Sequence, residues 1–130
     1  MNRFKNKKIQ RLNKKIPGDH IVRFYYDKKS GHPFMSISLY KIIVYGHEMT
    51  THPSRKENGL PRNGYVRFRK NPNPSSKEKS YYHRSIKRIE NKEKHGRLSY
   101  KRSWVISKRD LRRLKRIDQK KIKNVRCVNN

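Results

Sequence analysis

A chain of 130 residues that is only 31% hydrophobic has material for one small core and no second domain. Its 37 Lys and Arg stand against 9 Asp and Glu, so a formal net charge of +28 repels itself until a polyanion meets it. With no apolar run long enough to span a bilayer and no secretory leader pattern, the chain is expected in the cytoplasm and away from membranes. Cys127 is the only cysteine, which excludes an internal disulfide and a clustered-cysteine zinc site. The 6 histidines show no ligand-spaced pair, so no metal and no cofactor are expected.

Residues 1–18 carry Lys7, Lys8 and further cations with no acid and little to bury. They read as a basic arm in which Lys7 and Lys8 meet nucleic acid. The folded domain is expected over residues 19–122. After the break at Pro17 and Gly18, residues 20–26 alternate Val22, Phe24 and Tyr26 with Ile21, Arg23 and Tyr25, the period of a strand. Residues 27–31 are turn chemistry. Residues 33–40 then place Met35, Ile37 and Leu39 on one side and Phe34, Ser36 and Ser38 on the other, so the two strands form a hairpin. A third, β-branched strand over 42–49 ends in the polar cluster Thr50, Thr51 and His52.

Residues 53–63, with their prolines and Gly59, read as a surface loop. A fourth strand is predicted over 65–69, a second loop over 71–76 where prolines remove backbone donors, and a fifth strand over 81–89. Trp104, Val105 and Ile106 form a short apolar run. Ser107 with Asp110 three residues on is a capping-box-like start for a helix to about residue 122. Leu111, Leu114 and Ile117 stripe that helix, while Arg112, Arg113, Lys115 and Arg116 coat its remaining faces and are offered to an anion. Residues 123–130 read as a tail. The fold class is therefore mostly β with a C-terminal α-helix, a strongly curved sheet or small β-barrel behind a basic N-terminal arm.

The segment Gly31-His32-Pro33-Phe34-Met35-Ser36-Ile37-Ser38 resembles the hairpin motif of the MazF/PemK family of toxin endoribonucleases, with His32 where that family carries arginine. Tyr45-Gly46-His47-Glu48-Met49-Thr50-Thr51 is similar to the family's third strand, which ends in a catalytic Thr or Ser. Residues 80–89 and 104–117 resemble the later strand and the closing strand-and-helix element. The likeness runs over residues 20–118 and implies an SH3-like, PemK-like barrel. It also implies a metal-independent endoribonuclease toxin that cleaves single-stranded RNA, with an acidic antitoxin and a second copy of the chain as partners.

Metal-free RNA cleavage needs the 2′-hydroxyl deprotonated, the charge on phosphorus stabilised and the leaving oxygen protonated. The resemblance gives His32 the role of acid/base or phosphate donor and Thr50 that of a hydrogen bond to the scissile phosphate. His47 is an auxiliary acid/base candidate, though a strand-end histidine satisfied by a backbone carbonyl is the commoner arrangement. Alternation along the strand separates His47 and Met49 from Glu48 and Thr50, so His47, Glu48, Thr51 and His52 are not all expected to line one site. His83 and His95 are expected in solvated segments.

Arg23, Arg67 and Arg69 lie in strands, where rigid guanidinium groups suit phosphate recognition. Tyr25, Tyr26, Tyr65, Tyr81 and Tyr82 interleave with that charge, and at most two of them are expected to touch a ligand. The competing reading is a non-catalytic binder of RNA or DNA, housed in a ribonucleoprotein or inhibiting a nucleic-acid-bound complex. Charge favours that binder, and motif order favours the nuclease.

Overall fold

The first hairpin is where local sequence and observed structure agree best. The computed structural model describes residues 21–37, 42–59, 61–62, 64–91 and 96–128, with side chains through residue 120. The arm with Lys7 and Lys8, and also His20, Leu39 and His95, lie outside the described residues. Strands β1 (Arg23–Asp27) and β2 (His32–Ser36) pair antiparallel, Phe24 opposite Met35 and Tyr25 opposite Phe34. Alternate side chains therefore go to opposite faces. Gly31 closes the turn at φ 75°, its N–H donating to the Asp27 carbonyl at 2.8 Å.

Strand β3 (Ile43–Thr50) is the centre of the sheet. One edge takes β2, with Gly46 opposite Ser36. A side chain at Gly46 would collide with the Met35 carbonyl oxygen and the Phe34 ring, so this close approach requires glycine. The other edge takes two strands, β5 (Tyr81–His83) toward its C-terminal end and β6 (Lys87–Glu90) toward its start. The single strand predicted over 81–89 is thus split. Five steps lead from Tyr82 to Lys87 where their partners Met49 and Gly46 are three apart, and the extra residues bulge out of the ladder.

Strand β4 (Tyr65–Arg67) pairs outside β5, and β7 (Leu98–Tyr100), which no sequence period announces, pairs outside β1. The order is β4-β5-β3-β2-β1-β7, with β6 beside β3. The fold is mostly β with one C-terminal helix among the described residues, but the expected barrel is not closed. Its two ends are strands of only 3 residues, and among the described residues they do not pair.

Helix α1 (Lys108–Val128) packs its stripe on the sheet instead. Leu114 is fully buried with Phe24, Met35, Met49, Val66, Phe68 and Tyr82, residues drawn from five strands and their ends. Each such side chain contributes about 1.5–3 kcal/mol by leaving water. Phe34, Val44, Ile89 and Leu98 form a second cluster on the opposite face.

Ser107 caps the helix as predicted, its Oγ accepting the Asp110 N–H at 3.2 Å. The helix continues to Val128, past the predicted stop at residue 122 and through most of the residues read as a tail. Two aspartates on its packed face tie it to the sheet. Asp110 accepts the N–H groups of Arg69 and Lys70 at 2.9 and 3.2 Å. Asp118 meets the His47 imidazole at 2.8 Å with both side chains at 0% exposure. No helix among the described residues is long and apolar enough to cross a membrane.

Candidate active-site cleft and nucleic-acid groove

The turn that follows β1 and the exit from β3 open onto one cleft of about 390 Å³, and it contains both His32 and Thr50. Its remaining walls come from Thr51, His52, Trp104 and the segment between Asn71 and Ser80. That segment is built from short polar side chains turning onto their own backbone, as its sequence of Asn, Pro and Ser demands. Asn71 Oδ1 accepts the Asn73 N–H at 3.0 Å, Ser76 Oγ accepts the Glu78 N–H at 3.2 Å, and Asn71 Nδ2 donates to the Glu78 carbonyl at 3.0 Å. Glu78 is thereby held on the cleft wall.

Of the four clustered residues His47, Glu48, Thr51 and His52, only Thr51 and His52 line the cleft, in keeping with the expectation that the four do not share one site. The strand ends at Thr50, whose Oγ1 accepts the His52 N–H at 3.0 Å and turns the chain. Thr51 Oγ1 and His52 Nδ1 then lie 2.9 Å apart. His52 and Glu78 are the two ionisable cleft residues that sequence reasoning did not single out. The Thr-Thr-His run was the available signal for the first, and the second is brought in only by tertiary placement.

Beside the cleft runs a groove of about 810 Å³ floored by β4 and β5 and walled by Arg55, Lys56, Pro61 and Arg62. Its cations are Arg55, Lys56, Arg62, Arg67, Lys79 and Arg84, with Tyr65 and Tyr81 between them, and no acidic side chain lines it among the described residues. The wall is not an irregular loop. Arg55 pairs with Pro61 in an antiparallel bridge, Arg62 N–H donates to the Ser54 carbonyl at 2.9 Å, and Arg55 Nη1 donates to the Gly59 carbonyl at 2.8 Å. Groove and cleft meet along one line of the sheet. Arg67 faces Tyr81 across β4 and β5, and Tyr81 faces Thr50 across β5 and β3. Directly opposed residues project from the same face, so the three form a row from groove to cleft.

No protein-family model, curated protein or solved structure matches the chain.

Of the predicted phosphate-binding arginines, only Arg67 lines the groove. Arg23 is half-buried on β1 with its Nη1 enclosed and unpartnered among the described residues. Arg69 is exposed beyond β4, where its N–H is bound by Asp110, and Arg112, Arg113 and Arg116 are exposed on α1. None of these lines either cavity.

His47 is not placed for proton transfer to a ligand. It is buried, with Nδ1 donating to the His83 carbonyl at 2.6 Å and Nε2 on Asp118. The His83 carbonyl reaches His47 because it stands at the bulge between β5 and β6. His83 itself is half-buried, its ring tilted against that of Tyr65 with centroids 4.3 Å apart, rather than solvated.

The acids explain why the groove stays so positive. Asp27 is buried and takes both Arg97 Nε and Nη2, at 2.7 and 2.8 Å. Burial alone would raise its pKa, but the hydrogen bonds from Arg97, Ser30 and Lys29 outweigh it and hold the carboxyl at about 2. Glu48 pairs with Lys87 and Glu90 with Arg88. Asp110 and Asp118 serve the helix. These five carboxylates are engaged by the fold and, among the described residues, no acid is among the side chains lining the groove. Burial also raises the Tyr82 hydroxyl, which lies enclosed without a hydrogen-bond partner among the described residues.

Proposed function

We propose that the chain binds single-stranded RNA and cleaves it as an endoribonuclease of the MazF/PemK type, on an open variant of the SH3-like fold. The observation that carries this reading is the continuity of groove and cleft through Arg67, Tyr81 and Thr50. Adjacent strands are about 4.8 Å apart. A strand of RNA whose phosphates lie on the groove cations is therefore within one or two side-chain widths of Thr50 and its cleft.

Unpaired RNA suits the groove better than a duplex, because Tyr65 offers a half-exposed ring to an unstacked base among the cations. In the cleft the His32 imidazole serves as acid/base. Thr50 Oγ1 already accepts one hydrogen bond from His52, which leaves its own proton to donate to a phosphate oxygen as negative charge develops. Attack by the 2′-oxygen yields a 2′,3′-cyclic phosphate and a 5′-hydroxyl. An acidic partner protein competing for the same cations would act as the antitoxin.

The test is cleavage of mixed-sequence single-stranded RNA in excess EDTA. The wild type is expected to cleave. His32→Ala and Thr50→Ala are each expected to lose about 100-fold or more in rate while RNA affinity changes little, because both act on charge and protons that move only in the transition state. A wild type that binds RNA tightly and leaves it intact overturns the nuclease reading. The protein would then be a non-catalytic RNA or DNA binder, which its net charge of +28 already favours.

A further inference from the structure

We infer that His52 is a second catalytic residue of the cleft, handling the proton transfer opposite to that of His32. The inference rests on the nuclease reading and adds to it the division of labour between two imidazoles.

Cleavage by the 2′-hydroxyl moves two protons at two oxygens on opposite sides of phosphorus. As the 2′-oxygen bonds to phosphorus, its proton passes to a base. As the bond from phosphorus to the 5′-oxygen breaks, its electron pair stays on that oxygen, which takes a proton from an acid. A neutral imidazole and an imidazolium complete the turn with their protonation states exchanged, and solvent restores them. One imidazole would have to travel between the two oxygens during the reaction. Two on separate walls need not move, and a positioned acid/base group is worth about 10²–10⁴-fold in rate.

The cleft provides two such walls. His32 opens β2 at the hairpin turn, and His52 lies past the end of β3. His52 is held at two points, its N–H on Thr50 Oγ1 at 3.0 Å and its Nδ1 against Thr51 Oγ1 at 2.9 Å. Its Nε2 carries no partner among the described residues and is the nitrogen left to meet a substrate. The same bond that orients the His52 backbone orients the Thr50 hydroxyl, so the phosphate donor and the second imidazole are set by one turn. Glu78 is the remaining ionisable group on the cleft walls. Its backbone is tied to Ser76 and Asn71 on the facing segment, and a carboxylate acting as base would place its pH limb well below that of an imidazole.

The experiment is single-turnover cleavage of a short single-stranded RNA from pH 4.5 to 9 by the full chain, His32→Ala, His52→Ala and His52→Gln, with RNA affinity measured alongside. The wild type should give a bell-shaped profile. His52→Ala should lose about 100-fold or more with affinity within about threefold, and its profile should keep only one limb. His52→Gln retains an amide to meet Thr51 yet moves no proton, so it should be as slow as the alanine variant. Full rate in His52→Gln would reduce His52 to a positioning residue and overturn the inference. So would a His52→Ala variant that cleaves within a few-fold of wild type or keeps both limbs. A wild type that does not cleave at all overturns the underlying nuclease reading, a result distinguishable from these.

Discussion

Single residues in this protein do structural work that their chemical type does not announce. Asp27 has a folded-state pKa of about 2 against an ordinary 3.8, so it stabilises the fold above its ordinary range and loses that contribution as pH falls from about 4 to about 2. The shift corresponds to about 2 kcal/mol. Thermal melts across that window should show a fall in Tm that is flattened in Asp27→Asn, and parallel curves for the two proteins would remove Asp27 from the account. His47 and Asp118 are a buried pair whose partners come from the sheet and the helix. Removing one partner leaves the other enclosed, so Asp118→Ala should cost about 3–5 kcal/mol in urea denaturation. A loss below about 1 kcal/mol would mean that the pair does not anchor the helix. Because neither residue lines the groove, RNA affinity at a temperature where the variant is folded should be retained.

At the scale of elements, β3 and α1 organise everything else. β3 receives β2 on one edge and shares the other between β5 and β6, and the resulting bulge frees the His83 carbonyl that His47 requires. The start of α1 combines two functions in four residues. Ser107 caps the helix, while Asp110 accepts the backbone of Arg69 and Lys70 and the Ser107 hydroxyl. Ser107→Ala should therefore cost about 1 kcal/mol, the usual worth of a cap. Asp110→Ala should cost clearly more, because it also strands two backbone donors at the end of β4. Equal losses in chemical denaturation would show that the junction with β4 contributes nothing beyond the cap.

For the whole molecule the governing quantity is charge. Five of the acids are engaged inside the fold or in local ion pairs, and Arg62, Arg67, Lys79 and Arg84 line one groove together. Binding to single-stranded RNA should weaken steeply with salt, log K falling by about 0.7 per phosphate neutralised for each tenfold rise in salt. Reversing Arg67 and Arg84 to Glu should lower both affinity and that slope. The same reversal at Arg112 and Arg116, exposed on α1, should change them less. Similar losses from both pairs, measured by fluorescence anisotropy as salt is varied, would show that binding is spread over the surface rather than seated in the groove.

The amino-acid sequence by itself determined the features that depend on near neighbours. The hairpin follows from alternation and turn chemistry, the helix start from Ser107 and Asp110, and the basic character from composition, and these agree with the described structure. His32 and Thr50, which the resemblance singles out, line one cleft. Other features exist only through contacts between residues distant along the chain. β7 has 3 residues and no period of its own, and it forms because β1 offers an edge with Arg97 clamped to Asp27. The open sheet, the burial of His47 against Asp118 and the placing of Glu78 and His52 on one cleft follow from packing that no local pattern encodes. The groove is the clearest case. Arg55, Arg62, Lys79 and Arg84 look like any of the 37 cations in the sequence, and only the pairing of β4 with β5 beside the bridge between Arg55 and Pro61 gathers them into one groove.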